Sequence, residues 1–211
     1  MRKLKRGTIV LTYIIFLCGW TFRVVFIDLA HMNEYLSWTI GFLIQAAWWP
    51  LYAVFFIKRY NKALKVSWKE MTNTKPDLKM LLPLLLFAVI YHIGIFFFDS
   101  QGFELEMKPY DFIITVLTVG IFEESVFRGW FLNAIARFTS ERRANLISSA
   151  MFVLIHYPSW IYHGQDIRAI ISTSIPMFGL SLIFGWAFRK SKSIWTGAIF
   201  HSFWDMLSFI M

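Results

Sequence analysis

A single cysteine, Cys18, excludes an intrachain disulfide framework and a cysteine-based metal site. Charge is scarce too: 16% of the 211 residues are Asp, Glu, Lys or Arg, where soluble domains carry about 25%. Carboxylates are the minority among them, 13 against 21 basic residues. No HExxH pair occurs, so the two-histidine helix of many zinc hydrolases is missing. No repeat or low-complexity tract occurs either, which leaves solenoids and linker arrays without support.

What is present is apolar. With 57% hydrophobic residues, 19% aromatics and a positive mean hydropathy, the chain is no ordinary soluble domain and belongs in a bilayer. At about 20 apolar residues per crossing, the runs place spans near residues 8–28, 36–57, 80–98, 112–136, 144–162, 169–188 and 194–210. The expectation is an all-α, polytopic, seven-helix bundle forming one integral membrane domain over residues 1–211. The opening MRKLKR could begin a secretory signal. The apolar run that follows, Thr8 to about Leu29, is too long for a signal core and has no small-residue cleavage site, so it reads as the first span.

A net charge of +8 would suit nucleic acid, but the basic residues follow membrane topology instead, and no nucleic-acid partner is expected. The N-terminus and the second, fourth and sixth loops hold 17 Lys and Arg, whereas the opposite loops hold only Lys108 and Arg168. The positive-inside rule then predicts a multi-pass cell-membrane protein with its N-terminus in the cytoplasm and, after seven spans, Met211 outside. Within the Lys58 to Lys79 loop, Tyr60, Leu64, Trp68 and Met71 recur at helical spacing. They read either as an amphipathic helix on the inner leaflet or as part of a solvated basic loop.

The chain is organised around Ile121 to Trp130, IFEESVFRGW, where two carboxylates and an arginine interrupt an apolar run. A charge near the bilayer centre costs about 2.5–3.5 kcal/mol on insertion scales, so such groups are retained for a purpose and face protein rather than lipid. In a helix, Glu124 and Arg128 stand at i, i+4 and can pair. Glu123 is rotated away from Arg128 by about 140° and shares a face with Phe127 and Trp130. One carboxylate is neutralised while its neighbour stays free in apolar surroundings, the setting of a general base. Trp130 is either a cavity wall or lipid-facing bulk. Later spans carry FVLIH, with Phe152 and His156 at i, i+4, and HSFWD, with His201 and Asp205 at the same spacing. All of these groups fall near mid-membrane, so a buried polar cluster is implied. His92 and His163, outside these motifs, read as packing residues, and Trp160, Trp186 and Trp195 as interface anchors.

EESVFR, FVLIH and HSFWD, in that order on successive late helices, resemble the EExxxR, FxxxH and HxxxN/D motifs of the CPBP family, the CAAX proteases and bacteriocin-processing enzymes also called Abi proteins. The likeness covers about residues 112–208. It implies an intramembrane endopeptidase acting on peptide or protein substrates in the bilayer. Glu123 and His156 would activate a water, His201 and Asp205 would stabilise the oxyanion, and Glu124, Arg128 and Phe152 would support the site. An ionised Asp only accepts hydrogen bonds. Either Asp205 therefore carries a proton, or it orients His201 from behind while His201 alone donates.

The resemblance implies no cofactor in the glutamate mechanism, although two histidines with Glu123, Glu124 or Asp205 would also satisfy zinc by ligand type. A non-proteolytic membrane scaffold on the same fold and an ion or proton carrier are the rivals from other classes. Prenylated CAAX tails, bacteriocin or pheromone precursors and membrane-bound regulators are the substrate classes implied. The Lys- and Phe-rich composition favours bacterial peptide maturation or self-immunity among them.

Overall fold

In the computed structural model, residues 3–99 and 112–210 are described, and they are helical with no strand among them. Helix α1 is Arg6–Leu29 and α2 is Glu34–Tyr60. Asn33 caps α2 by accepting the Leu36 N–H (3.0 Å), while Lys58 and Arg59 complement the dipole of its last turn. A short α3, Trp68–Asn73, capped by Ser67, leads into α4, Leu78–Asp99. Residues 100–111, which join α4 to the next helix, lie outside the described residues.

Helix α5 is built of four consecutive segments, Phe112–Val119, Gly120–Glu124, Ser125–Leu132 and Asn133–Ile135. The first and third are π-helical, so the short α-helical piece carrying both glutamates is bracketed by wider turns of the kind that often mark functional sites. Then follow α6, Glu141–Leu154, α7, Tyr157–Tyr162, α8, Ile167–Ser191, and α9, Ile194–Ile210. Ser140 caps α6 and Asp166 caps α8, and Lys192 closes α8 in the left-handed conformation.

Four of these helices are long and apolar enough to cross a membrane: Arg6–Ile27, Tyr35–Ala63, Leu78–Phe97 and Ile167–Ser191. Their outward faces are apolar, with Val10, Phe22, Leu51, Leu86 and Ile175 each more than half exposed, as suits lipid rather than water. The expected fifth span, residues 144–162, is interrupted. Pro158 falls in the first turn of α7 and has no N–H to continue the α6 ladder, so the helix breaks at Ile155 and His156.

The apolar residues of the Lys58 to Lys79 loop turn inward. Tyr60 and Met71 are buried, Leu64 and Trp68 pack against the same core, and a 3-10 turn at Asn61–Ala63 precedes the six-residue α3. No continuous interfacial helix forms there. Helix α5 sits centrally, packed on α2, α6 and α9, and α9 packs in turn on α4 and α8. The main core is aromatic, with Phe16, Trp49, Tyr52, Phe127 and Phe131 in mutual ring contact. Trp130 belongs to this core. It is fully buried and stacks near Phe56 and Tyr60, and its indole N–H donates to Thr12 (3.3 Å).

Candidate active site

Close approach of α5 to α9 creates the site. A Cβ on Gly120 would lie 2.6 Å from Ser202 Oγ and 2.8 Å from the Ala198 carbonyl, and one on Gly197 would lie 2.7 Å from Glu124 Oε2. Glycine at these two positions lets the glutamate pair reach His201 across the helix boundary.

The support is assembled first. Glu124 is fully buried, and its Oε2 lies 3.3 Å from Arg128 Nε, the i, i+4 pair anticipated from the spacing. The contact is ionic rather than a directed hydrogen bond, since neither atom has a hydrogen-bond partner. Of the guanidinium nitrogens Nη2 alone has acceptors among the described residues, donating to Ser181 Oγ (2.9 Å) and to the Ser181 carbonyl (3.1 Å), while Nη1 like Nε has none. The guanidinium also lies 4.9 Å from the Phe152 ring centre and 5.3 Å from that of Phe184, so two aromatic faces hold the remaining charge. The other oxygen of Glu124, Oε1, lies 3.3 Å from His201 Nδ1. Glu124 therefore ties the arginine to the histidine, and the imidazole is further clamped by near-parallel Phe184, 4.4 Å between ring centres.

His201 Nε2 points the opposite way, 3.7 Å from Glu123 Oε2 and 3.7 Å from Asp205 Oδ1. Both separations exceed hydrogen-bond length and are within ion-pair reach, so the two carboxylates face this nitrogen as charges rather than as directed acceptors. His156 stands at the break between α6 and α7. Its Nδ1–H donates to the Phe152 carbonyl (2.9 Å), which directs Nε2, without a protein partner among the described residues, away from the backbone. Phe152 touches both imidazoles edge-on, at 5.2 Å from His156 and 6.1 Å from His201.

Glu123, His156, His201 and Asp205 line one cavity of about 640 Å³ with Phe152. Glu124 and Arg128 stay behind it. Of the two geometries open to Asp205, orientation of His201 from behind is not the one found: Glu124 holds that position and Asp205 faces Nε2. Thr173 and Pro176 of α8 are exposed at the cavity edge, in the stretch of helix that proline interrupts. Among the described residues, no three His, Cys, Asp or Glu side chains are grouped so as to hold a metal ion.

One cavity residue reads from the sequence as packing. His92 of α4 is buried in the wall, its Nδ1–H donating to the Ala88 carbonyl (2.9 Å) and its Nε2 3.0 Å from the Ser208 hydroxyl. Ser208 lies on the α9 face of His201 and Asp205, at i+7 and i+3, so that periodicity was the available signal. Trp160, expected as an interface anchor, stacks near His156 at 5.7 Å.

Among the described residues the fold is helical, several helices are long and apolar enough to cross a membrane, and ionisable groups cluster inside, as suits a membrane protein. A model of the Rce1-like family, described as type II CAAX prenyl endopeptidase Rce1-like, matches residues 106–207, the segment holding all three motifs. That segment is similar to this family and consistent with the CPBP family of CAAX-type proteases, a likeness that implies intramembrane endopeptidase activity. No curated protein and no solved structure matches the chain.

Proposed function

We propose that the protein is a glutamate-type endopeptidase that hydrolyses a peptide bond inside the 640 Å³ cavity, with water activated between Glu123 and His156. The observation that carries the reading is convergence: three helical regions far apart in sequence bring one carboxylate, two imidazoles and Asp205 to a single cavity backed by a charge-paired glutamate. In this mechanism the Nε2 lone pair of His156 accepts one water hydrogen while Glu123 takes the other proton as the oxygen attacks the scissile carbonyl. Glu123 then returns that proton to the leaving amine.

Carboxylate oxygens face both ring nitrogens of His201, at 3.3 Å and 3.7 Å, an arrangement suited to an imidazole protonated on both sides. Nε2–H is then the donor to the oxyanion. With a proton on Asp205 as well, the second donor is supplied, and Arg128, His201, Glu123 and Glu124 sum to zero charge, the least costly state for a dry interior. Seven crossings, a cytoplasmic N-terminus in the cell membrane and an exit of Met211 outside complete the reading. Met211 itself lies outside the described residues. The substrates are membrane-associated tails or peptide precursors, with the apolar cavity wall taking their hydrophobic portion.

The test is cleavage of a farnesylated CAAX peptide and a panel of leader-peptide precursors by the protein in lipid nanodiscs, read by mass spectrometry. Wild type should release product, and Glu123→Gln, whose amide cannot take a proton, should not. Appreciable turnover by Glu123→Gln would overturn the base assignment, and a bound but uncleaved panel would favour a scaffold.

A further inference from the structure

A second cavity, of about 600 Å³, opens between the start of α1 and the α5 to α6 turn, away from the catalytic groups. Buried Ile9 and Ile135 form its deep side, and exposed Val10 and Ile147 its rim. The Tyr13 hydroxyl donates to the Met151 carbonyl (2.9 Å), so the polar end of that side chain is already used and its ring presents an apolar wall. Arg6 and Arg143 also line it, one helical turn before Val10 on α1 and before Ile147 on α6. Arg6 lies 5.9 Å from the Phe138 ring centre, and neither arginine is paired with a carboxylate among the described residues, although Glu141 is close in sequence. α1 and α6 both begin here, at Arg6 and Glu141, so two N-terminal helix dipoles add to the positive field. Lys3, Lys5, Arg137 and Arg142 flank the same segments.

An apolar cleft lined also by two unpaired guanidinium groups calls for a ligand that is itself divided into an anionic head and a hydrocarbon chain. We infer that this cleft binds an anionic phospholipid, the phosphate between Arg6 and Arg143 and one acyl chain along Tyr13 and Met151. The inference rests on placement in a bilayer and not on the peptidase reading, so Glu123→Gln should bind lipid as wild type does. Zwitterionic lipid offers the chain without the net charge, and free phosphate the charge without the chain.

The test is native mass spectrometry of detergent-purified protein titrated separately with phosphatidylglycerol, phosphatidylcholine of the same chains, and inorganic phosphate. Phosphatidylglycerol adducts should form at about 30-fold lower concentration than phosphatidylcholine adducts, the preference two basic contacts provide, and phosphate should give none. Arg6→Gln with Arg143→Gln, both at exposed positions, should erase the preference, and Val10→Trp should block the cleft while leaving both charges. Equal retention of the two lipids, or full phosphatidylglycerol binding by Val10→Trp, would overturn the site in favour of a diffuse basic surface. A diazirine-tagged phosphatidylglycerol gives a check without variants. Labelling concentrated on α1 and α6 supports the cleft, and labelling spread evenly over α2 and α4 contradicts it.

Discussion

At the residue scale, the adjacent glutamates divide the work by what each meets. Glu124 meets Arg128 and His201 Nδ1 in a fully buried setting, whereas Glu123 meets only the cavity face of His201. On the proposed reading Arg128 is accordingly structural. Arg128→Ala leaves the Glu124 charge buried and uncompensated, and should cost about 3–5 kcal/mol, seen as lost yield and a lower unfolding temperature in detergent. Normal yield with lost activity would instead place Arg128 in the chemistry. The i, i+4 pairing was legible because spacing within one helix fixes it. The contact from Glu124 to His201 was not, since it joins residues 77 apart and depends on how closely α5 and α9 approach. Likewise His92 and Ser208 carry no local sign that they meet, 116 residues apart.

At the element scale, glycine sets that approach. Gly197→Ala would push a methyl group against Glu124 Oε2 and so displace the carboxylate from Arg128 and His201. Turnover should fall about 100-fold, the cost of misplacing a reacting group by roughly an ångström, while the helices remain folded. Gly179→Ala in α8 meets nothing within 4 Å and should change stability by less than about 1 kcal/mol. Equal effects in activity assays and thermal melts would show that Gly197 has no bearing on the site. Helix existence was legible throughout from apolar run length. The break at Ile155 and His156 was readable from Pro158, and it gives His156 a helix junction instead of mid-helix placement. The inward turn of Tyr60, Leu64, Trp68 and Met71 was not readable, because helical spacing is the same whether the stripe meets lipid or protein core.

At the scale of the whole molecule, the helices expose apolar faces while Glu123, Glu124, Arg128 and His201 are buried within an otherwise apolar core. Four helices meet the length and hydropathy of a crossing, while the site is carried by α5, which is divided into four segments, and by α6 and α9, of 14 and 17 residues. Seven crossings therefore need an external check. In a Cys18→Ser background, single cysteines at Lys62, Arg142 and Lys192 should react with an impermeant maleimide only from the cytoplasmic side, and one at Asp166 only from outside. Labelling of Arg142 and Asp166 positions from the same side would remove the α6 to α7 crossing. The three-motif order was legible because each motif is local and the family constrains the set. The lipid cleft was not, since Arg6 and Arg143 come together only in the folded chain.

The central claim is that Glu123 acts on a water without a metal. It is tested most directly by following peptide cleavage in nanodiscs with and without a strong zinc chelator, beside Glu123→Gln. Cleavage that survives the chelator and is lost in Glu123→Gln is the predicted result. Cleavage abolished by the chelator and restored by added zinc would contradict it and assign the same side chains to a metal site.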